Sequence, residues 1–571
     1  MAAGVGLNAR RKTPENDGAV AAKYRKTAVK DEETSKAARA ARKPADAKAR
    51  PKADKDKTIR EKAEKSAAGE GRTASRRNGK TEAAGTPSPR RIARWKEPQE
   101  ETDVRRAARR KDASAGDRLR GSAKNGKKEA PARRESGREK RERQRMDAIF
   151  RDRKRAVSRS VDMATVMIAL LTVLFDAFGL LLAAVRAEGA IDMQALTILV
   201  WMAPLAVVTA LVLPRFLPID PLIMALTNFL CGVGVVILYT VSPDRGMRQA
   251  TFYVMGLAAM LVISLIVSRA KRFRGMTWLA MAGGIALLVM PLAFGEWYNG
   301  AKNWVNLPVI GTFQPSELVK LSLVLAMAYY FSAHRTVFQM MPAILFAGAC
   351  LLLLMLQRDL GTALIYYITT LGMFYVACGN VPLTLLGFGG GAGAAVLGYR
   401  MFAHVKVRVA MWRNPWSDPL DKGYQIIQAL LAIGSGGLFG VGLGQGTPDK
   451  IPAYYNDFIF AVICEQMGLI FGLLVLAVYL LLILRGVSVI TRSRRSFDML
   501  LGCGVLAMLG IQTFMIVAGV IKMIPLTGVT MPFLSYGGSS LLSCLSMIGI
   551  VHGIAARAQE DMEEDVLSVR D

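Results

Sequence analysis

Histidine is almost absent from the 571-residue sequence, and cysteine is scarce. The three histidines, His334, His404 and His552, are scattered along the chain, so a metal site built on histidine is not expected. The six cysteines lie singly inside apolar segments, and no two of them have the spacing of a zinc or redox motif. We therefore expect the cysteines to be small core residues.

Large apolar residues are nearly absent before Ile149, and charged residues dominate this first part of the chain. Residues 1–160 hold 49 of the 74 Lys and Arg residues and 24 of the 45 Asp and Glu residues, so most of the net charge of +29 lies there. Such a segment cannot bury enough apolar surface to offset its conformational entropy, which predicts a disordered basic cytoplasmic tail over 1–157 with a charged helix over 134–156. We expect this tail to attract anionic lipid headgroups. No signal-peptide pattern precedes it, and no aromatic or fold signature supports nucleic-acid binding.

Charges are few in the rest of the chain, where apolar runs of membrane-spanning length dominate. This pattern predicts an all-α polytopic membrane protein with about twelve transmembrane helices. We divide it into two N-terminal helices (158–214), a main membrane domain (215–560) and an acidic cytoplasmic C-terminal tail (561–571). The twelve candidate spans are 161–185, 194–213, 220–241, 249–268, 275–294, 315–333, 340–356, 360–378, 382–402, 458–485, 498–521 and 533–556.

Basic loops set the expected orientation. With twelve spans, the Lys- and Arg-rich segments 268–275, 333–336 and 490–496 fall on the same side as the basic tail. Because basic loops stay in the cytoplasm, both termini are predicted to be cytoplasmic. The polar stretches of the membrane domain, above all the long loop 403–457, then face the outside.

Two pairs of charged residues interrupt the apolar pattern. Glu317 and Lys320 lie three residues apart at the start of a span, after a sequence that also fits a helix cap. Ionisable residues at such a position normally face a protein interior or a wet cavity. Arg358 and Asp359 break a hydrophobic hairpin; this is either a simple turn or a charged pair near a headgroup site.

The loop 403–457 and the span after it hold most of the remaining candidates. The loop is predicted to contain a short amphipathic helix, cations and a glycine-dense segment, 434–446, whose backbone N–H groups could approach an anion. Asn456 or Asp457 is expected to cap the next helix, unless Asp457 instead works as a base. Glu465 lies about 12 Å deeper along that helix, where a buried hydrogen-bond partner is the simpler interpretation.

Six segments together resemble the SEDS family, the FtsW/RodA/SpoVE group of bacterial cell-wall proteins. Its motifs match in order over roughly 220–556. The matching residues are Trp304 with Phe313 to Glu317, Asp359 to Ala363, Asn414 to Trp416 through Gly423 to Gln425, Ala432 to Gly437, Asp457 to Phe460, and Pro532 with Ser535 to Ser540. The chain departs from the family in placing Lys302 one residue further from Trp304 than usual, and in having Glu465-Gln466 where a Glu pair is common.

The resemblance implies a ten-helix core, which makes 161–185 and 194–213 two extra helices. It also implies a glycosyltransferase of the bacterial cytoplasmic membrane that polymerises lipid II and extends the nascent glycan strand on the outer face, for cell division or cell shape. A class B penicillin-binding protein is the implied transpeptidase partner, and Asp457 is the implied catalytic acid. Candidate substrate-binding residues are Lys302, Trp304, Gln314, Glu317, Lys320, Arg358, Asp359, Lys406, Arg408, Arg413, Gln425, Ser435, Gly436, Glu465 and Ser539.

The chemistry of this reaction needs few groups. Converting an α-linked donor into a β-1,4 product requires inversion, hence one general base, which we assign to Asp457. The leaving diphosphate needs positive charge, either from side chains or from a divalent cation such as Mg²⁺ or Mn²⁺. A lipid II flippase and a non-enzymatic scaffold are the alternatives, although alternating access favours a midplane site and the motifs gather on one face.

Overall fold

The computed structural model describes residues 162–186, 192–270, 273–298, 300–307, 311–333 and 336–568. All of them belong to the second of two compact units, Pro131–Asp571. The predicted basic tail, the charged helix expected over 134–156 and the last three residues lie outside the described residues.

Long helices make up nearly all of the described chain, which confirms the all-α polytopic fold. Eleven of them are long and apolar enough to cross a membrane. The twelfth expected span is also a helix of 19 residues, α6, but carries Glu317 and Lys320 near its start. The helices are α1 Met163–Arg186, α2 Met193–Phe216, α3 Pro221–Val241, α4 Pro243–Arg269, α5 Arg274–Phe294, α6 Pro315–Ala333, α7 Val337–Leu356, α8 Leu360–Cys378, α9 Val381–Met401, α10 Ala403–Arg413, α11 Tyr424–Gly436, α12 Ile459–Ile490, α13 Ser496–Val520 and α14 Gly538–Ser568.

Local sequence signals account for several helix ends. The side chains of Asp220, Asp359 and Asn380 each accept a hydrogen bond from the N–H three residues on, at the starts of α3, α8 and α9. Gly379 ends α8 in the left-handed region at φ 62°, where glycine has no steric penalty. The last helix begins at Gly538, five residues later than the predicted span, because Phe533 to Gly537 form a loop.

The helices α3 and α14 form the centre of the membrane domain. Inside the protein, 94% of the apolar stretch of α3 and 89% of that of α14 are buried. Helix α14 packs along α4, and a methyl group on Gly549 would come within 2.4 Å of the Met260 carbonyl oxygen. Glycine at this contact lets the two backbones approach closely.

The two N-terminal helices, α1 and α2, pack on the core, and α2 does so through polar as well as apolar side chains. The Asn228 amide on α3 donates to the Ala206 carbonyl oxygen (3.1 Å) and to the Thr209 hydroxyl oxygen (2.9 Å) of α2. Tyr253 of α4 donates to the Asn228 side-chain oxygen at 2.8 Å. Within the bilayer these bonds give partners to polar groups that would otherwise have none, so α2 is an integral part of the domain.

A small antiparallel sheet precedes α6, and the sequence pattern did not predict it. Its strands are β1 Glu296–Tyr298, β2 Ala301–Leu307 and β3 Gly311–Phe313, in the order β1-β2-β3. Glu296 is paired with Trp304, and Asn306 with Thr312. Because successive side chains of a strand point to opposite faces, Asn303 and Val305 lie on the face opposite Trp304 and Asn306.

The segment 403–457 folds back as helices and turns. Helix α11 confirms the predicted short amphipathic helix and packs against α12. At the other end of the chain, the start of the predicted acidic tail is helical, because α14 continues to Ser568. Its Asp561 and Asp565 form ion pairs with Arg495 and Arg494.

Candidate functional site

The turn that precedes α12 is held by the loop that precedes α14. The backbone N–H of Tyr536 donates to the carbonyl oxygen of Tyr455 at 2.8 Å. The Ser535 hydroxyl donates to the carbonyl oxygen of Asn456 at 2.6 Å. These two carbonyls directly precede Asp457, so the loop fixes the backbone that carries the Asp457 side chain.

Neither Asn456 nor Asp457 caps α12, so the expected cap is wrong. The helix begins at Ile459, its N-cap residue is the buried Phe458, and no side chain makes a capping hydrogen bond there. The Asp457 carboxylate is half-buried and accepts no hydrogen bond from the part of the chain that the structure describes. Its oxygens therefore keep their hydrogen-bonding capacity for a ligand.

Helix α4 also holds this turn, through Arg245. The Arg245 guanidinium lies 3.9 Å from the ring centroid of Tyr455 and donates to the Tyr454 hydroxyl oxygen at 2.7 Å. The Tyr455 ring in turn meets the Tyr536 ring edge-on, with the ring centroids 6.0 Å apart. A cation over an aromatic face contributes about 0.5–2 kcal/mol, which helps to hold this turn in one conformation.

Arg408 of α10 lies beside Asp457, across Gly528. A Cβ atom on Gly528 would stand 3.5 Å from an Asp457 carboxylate oxygen and 3.5 Å from an Arg408 guanidinium nitrogen. Gly528 has φ +71°, which favours glycine. Arg408 also donates to the Thr527 carbonyl oxygen at 3.0 Å. On the other side, a Cβ atom on Gly361 would come within 2.6 Å of that same carbonyl oxygen, so the segment passes tightly over the start of α8.

Asp359 is the second carboxylate of this region, and its hydrogen bonds fix its position. The side-chain amides of Asn303 and Gln314 donate to one carboxylate oxygen at 2.9 and 3.0 Å. The backbone N–H of Thr362 donates to the other at 3.1 Å. Asp359 is buried, so these bonds orient a negative charge that also caps α8.

The electrostatic surroundings of Asp457 favour a base that titrates near neutral pH. Burial raises the pKa of the Asp457 carboxyl from 3.8 to about 6; the nearby Arg408 opposes this shift and Asp359 adds to it. A general base works best when its pKa lies near the working pH. Perturbed carboxyl groups of this kind are typical of functional sites.

A cationic surface extends from Arg408 toward the rim of the sheet. Arg358, in the turn between α7 and α8, has φ 61° and places its guanidinium 4.9 Å from the centroid of the Trp297 ring. His404 lies one helical turn before Arg408 on α10. Burial, together with Arg408 and Arg358, lowers the pKa of His404, which keeps its imidazole neutral at pH 7.

A cavity of about 600 Å³ lies on the other face of the sheet. The sheet supplies Glu296, Trp297, Trp304, Asn306 and Thr312 to its wall. Since Asn303 on the opposite face binds Asp359, the sheet separates the Asp359 carboxylate from this cavity.

The remaining walls come from α4 and from the two segments that meet at Asp457. Arg248 and Phe252 lie four residues apart on one face of α4. Tyr455, Asn456 and Tyr536 complete the lining with the following two glycines. The cavity thus reaches the residue directly before Asp457.

Behind these residues, Glu317 and Lys320 form a buried ion pair. The Lys320 ammonium donates to the Glu317 carboxylate and to the Gln512 side-chain oxygen, both at 2.8 Å. Gln512 donates to the Thr530 carbonyl oxygen at 2.7 Å, and the Thr530 hydroxyl lies 2.7 Å from that of Ser540. The pair therefore anchors the segment 526–540 that contacts Asp457.

The glycine-dense segment packs on α12 and does not form an open anion cradle. The N–H groups of Val441 and Gly442 donate to the carbonyl oxygens of Glu465 and Gln466, and that of Thr447 donates to the Glu465 carboxylate at 3.0 Å. A Cβ atom on Gly436 would come within 2.0 Å of the Cys464 carbonyl oxygen. The glycines serve close backbone packing, and the N–H groups of Val441, Gly442 and Thr447 are already occupied.

The predicted residues fall into three groups. Asp359 and Arg408 lie close to Asp457, Arg358 lies over the Trp297 ring, and Trp304 lines the cavity. Gln314, Glu317, Lys320 and Ser539 are buried behind them. The others stand apart in the described contacts. Lys406 and Arg413 are exposed on α10, while Ser435 is exposed and Gln425 half-buried on α11. Gly436 and Glu465 belong to the α11–α12 contact, and Lys302 donates to the Leu292 carbonyl oxygen at 2.7 Å.

Sequence reasoning missed several residues of the site. Arg245 and Arg248 lie three apart at the start of α4, and charged residues at the entrance of a span were the signal that could have identified them. Tyr455 and Tyr536 are far apart in sequence, so nothing in the sequence indicated that their rings meet.

Comparison with known proteins places this arrangement in a family. The family model of the cell cycle proteins FtsW, RodA and SpoVE matches residues 221–560. The chain is 32% identical over 387 residues to the peptidoglycan glycosyltransferase RodA of Mycobacterium tuberculosis (strain ATCC 25618 / H37Rv), covering 62% of this chain and 81% of RodA. It is 32% identical over 361 residues to the stage V sporulation protein E of Bacillus subtilis (strain 168), covering 59% of this chain and 96% of that protein.

A solved structure is also similar. One chain of a peptidoglycan synthase complex, described for its coordination of polymerization and crosslinking, has a TM-score of 0.50 and 26% sequence identity; the match covers 59% of this chain and 98% of that one. Together with the match over most of the membrane domain, this leads to one conclusion: the chain belongs to the FtsW/RodA/SpoVE family of cell cycle proteins.

Proposed function

We propose that this protein is a peptidoglycan glycosyltransferase that polymerises lipid II into β-1,4 glycan strands, with Asp457 as the general base. The activity is supported by relatives named peptidoglycan glycosyltransferase. The single observation that carries the role of Asp457 is its half-buried carboxylate, which no described side chain binds and which lies beside Arg408, one residue after Asn456 of the cavity wall.

The proposed reaction is a direct displacement with inversion. The 4-hydroxyl of one sugar attacks the anomeric carbon of a second lipid II, the bond from that carbon to the diphosphate oxygen breaks, and Asp457 accepts the hydroxyl proton. The pKa of about 6 leaves the carboxylate mostly ionised at pH 7 and still basic enough to take the proton. The rigid turn around Asp457 holds the base in place before the substrate arrives.

Arg408 lies beside the base and is the first candidate to stabilise the leaving diphosphate. Arg358 lies on the same cationic surface. A divalent cation also fits: Mg²⁺ is usually held by one or two carboxylates together with substrate phosphates, and Asp457 has both oxygens available. Such a cation would supply further positive charge to the leaving group. The described residues contain no group of three or more His, Cys, Asp or Glu side chains suited to hold a metal by themselves.

The placement of the reaction follows from the charge bias of the loops. We propose that Asp457 and the cavity face the outside of the cytoplasmic membrane and that both termini face the cytoplasm. The similar solved chain comes from a peptidoglycan synthase complex, which supports a class B penicillin-binding protein as the partner that supplies crosslinking.

The test is polymerisation of lipid II by the purified full-length chain, followed as glycan strands on gels, with and without Mg²⁺ or Mn²⁺. Loss of a general base typically costs about 10²- to 10⁴-fold, and we expect a loss of this size for Asp457→Asn. The exposed carboxylate of Asp244 provides the matched control, Asp244→Asn, which should polymerise like the wild type. If Asp457→Asn polymerised lipid II at the wild-type rate, Asp457 would not be the general base. Headgroup translocation in liposomes without polymerisation would favour a flippase.

A further inference from the structure

The cavity beside Asn456 carries two charges that the proposed displacement does not use. Glu296 of β1 and Arg248 of α4 both line it. Within the described ranges, neither side chain forms an ion pair or a hydrogen bond. An unpaired carboxylate and an unpaired guanidinium therefore face the same space.

The walls around these charges are aromatic and amide-bearing. Glu296 is paired across the sheet with Trp304, so their side chains stand on the same face. On the same face of β2, Asn306 lies two residues beyond Trp304. The Tyr536 ring belongs to the loop that holds Asp457, so the cavity and the base share one rigid support.

The charges distinguish among the parts of a substrate. A diphosphate alone would be repelled by Glu296, and a lipid tail would leave both charges without a partner. A neutral sugar gains from the aromatic and amide groups but has no need of opposite charges. A peptide that carries an ammonium group and a carboxylate satisfies both, while its aliphatic parts lie against the aromatic rings.

We infer that this cavity binds the charged peptide that lipid II carries on its sugar, with Glu296 facing an ammonium group and Arg248 facing a carboxylate. The inference rests on the proposed function in taking lipid II as the substrate. Binding the peptide here fixes the sugar that bears it next to Asn456, one residue from the base. Remote binding of this kind positions the reacting hydroxyl without touching it.

The experiment measures binding of fluorescent lipid II to the full-length protein in nanodiscs, and the KM and kcat of polymerisation. Three substrates are compared: unmodified lipid II, lipid II with the peptide amine acetylated, and lipid II with the peptide carboxylate amidated. We expect Glu296→Gln to weaken binding of unmodified lipid II about tenfold, as for one charge-assisted hydrogen bond. Acetylating the amine should weaken wild-type binding by the same factor and Glu296→Gln binding hardly at all.

Arg248→Gln should likewise weaken binding of unmodified lipid II, and amidating the carboxylate should weaken wild-type binding but hardly affect Arg248→Gln binding. Each variant should raise KM more than it lowers kcat. Asp244→Asn and Lys450→Gln, which remove exposed charges outside the cavity, are the matched controls and should bind all three substrates like the wild type. The inference is overturned if acetylation weakens Glu296→Gln and wild-type binding equally, whether or not the protein polymerises. If the charge coupling appears in binding but the wild type forms no glycan, the peptide site stands and the proposed polymerase activity fails.

Discussion

Breaking the buried ion pair of α6 is the perturbation whose cost can be worked out most fully. Glu317 and Lys320 are 3% and 1% exposed, with 2.8 Å between their charged atoms. Lys320→Met keeps the volume of the side chain but leaves the Glu317 carboxylate buried without its partner. Removing one partner of a buried pair costs about 3–5 kcal/mol. The double variant Glu317→Gln with Lys320→Met leaves no unpaired charge and should recover most of that loss.

Buried cysteines provide the assay. Cys231, Cys350, Cys464 and Cys544 are free thiols buried in the fold, so a thiol-reactive dye reports thermal unfolding of the detergent-solubilised protein. An unfolding entropy of ~2.1 cal/mol/K per residue makes 1 kcal/mol worth roughly 1 °C for a folded part of this size. Lys320→Met should therefore lower the Tm by roughly 3–5 °C.

The double variant decides whether the charge is the cause. If its Tm falls as far as that of Lys320→Met, the loss comes from packing or from Gln512, and the ion-pair argument is wrong. If Lys320→Met itself leaves the Tm within about 1 °C of the wild type, the buried pair contributes far less than its geometry indicates.

Three further perturbations test other parts of the structure. Gly436→Ala should lower the Tm by several degrees because its methyl group would meet the Cys464 carbonyl oxygen, whereas Gly434→Ala, with open space around it, should not. Arg408→Gln removes the group that lowers the pKa of Asp457, so the acid limb of the pH–activity profile should move to higher pH. Asp359→Asn removes a group that raises that pKa and should move the limb to lower pH, while Asn can still cap α8; limbs that move the opposite way would contradict the electrostatic argument.

The helices were largely predictable because each needs only local information. Apolar runs of sufficient length placed eleven spans and the additional helix α6, and caps such as Asp220 and Asn380 set the starts of α3 and α9. The sheet was not predictable, since β1 and β3 have three residues each and depend on pairing with β2. Strands that short carry too little alternation to be recognised.

The site was predictable in its parts but not in its assembly. The motifs named Asp457 and Asp359, and Arg408 was one of several loop cations. Only the fold shows that Arg408 and Asp457 meet around Gly528, with the Asp359 charge near enough to act on Asp457. The glycine-dense segment misled because glycine serves close packing as readily as anion binding, and only the hydrogen bonds to Glu465 distinguish the two. Arg248 lay outside every motif, and only the fold shows that it lines the cavity.

The pH dependence of lipid II polymerisation by the purified wild-type chain tests the central claim most directly. Asp457 must be ionised to accept a proton, and the pKa of its carboxyl is about 6. We predict that kcat/KM is constant above about pH 7 and falls about tenfold per pH unit once the pH is well below 6. A rate at pH 5 equal to that at pH 7.5 would show that no carboxylate with this pKa acts as the base, and would contradict the role of Asp457.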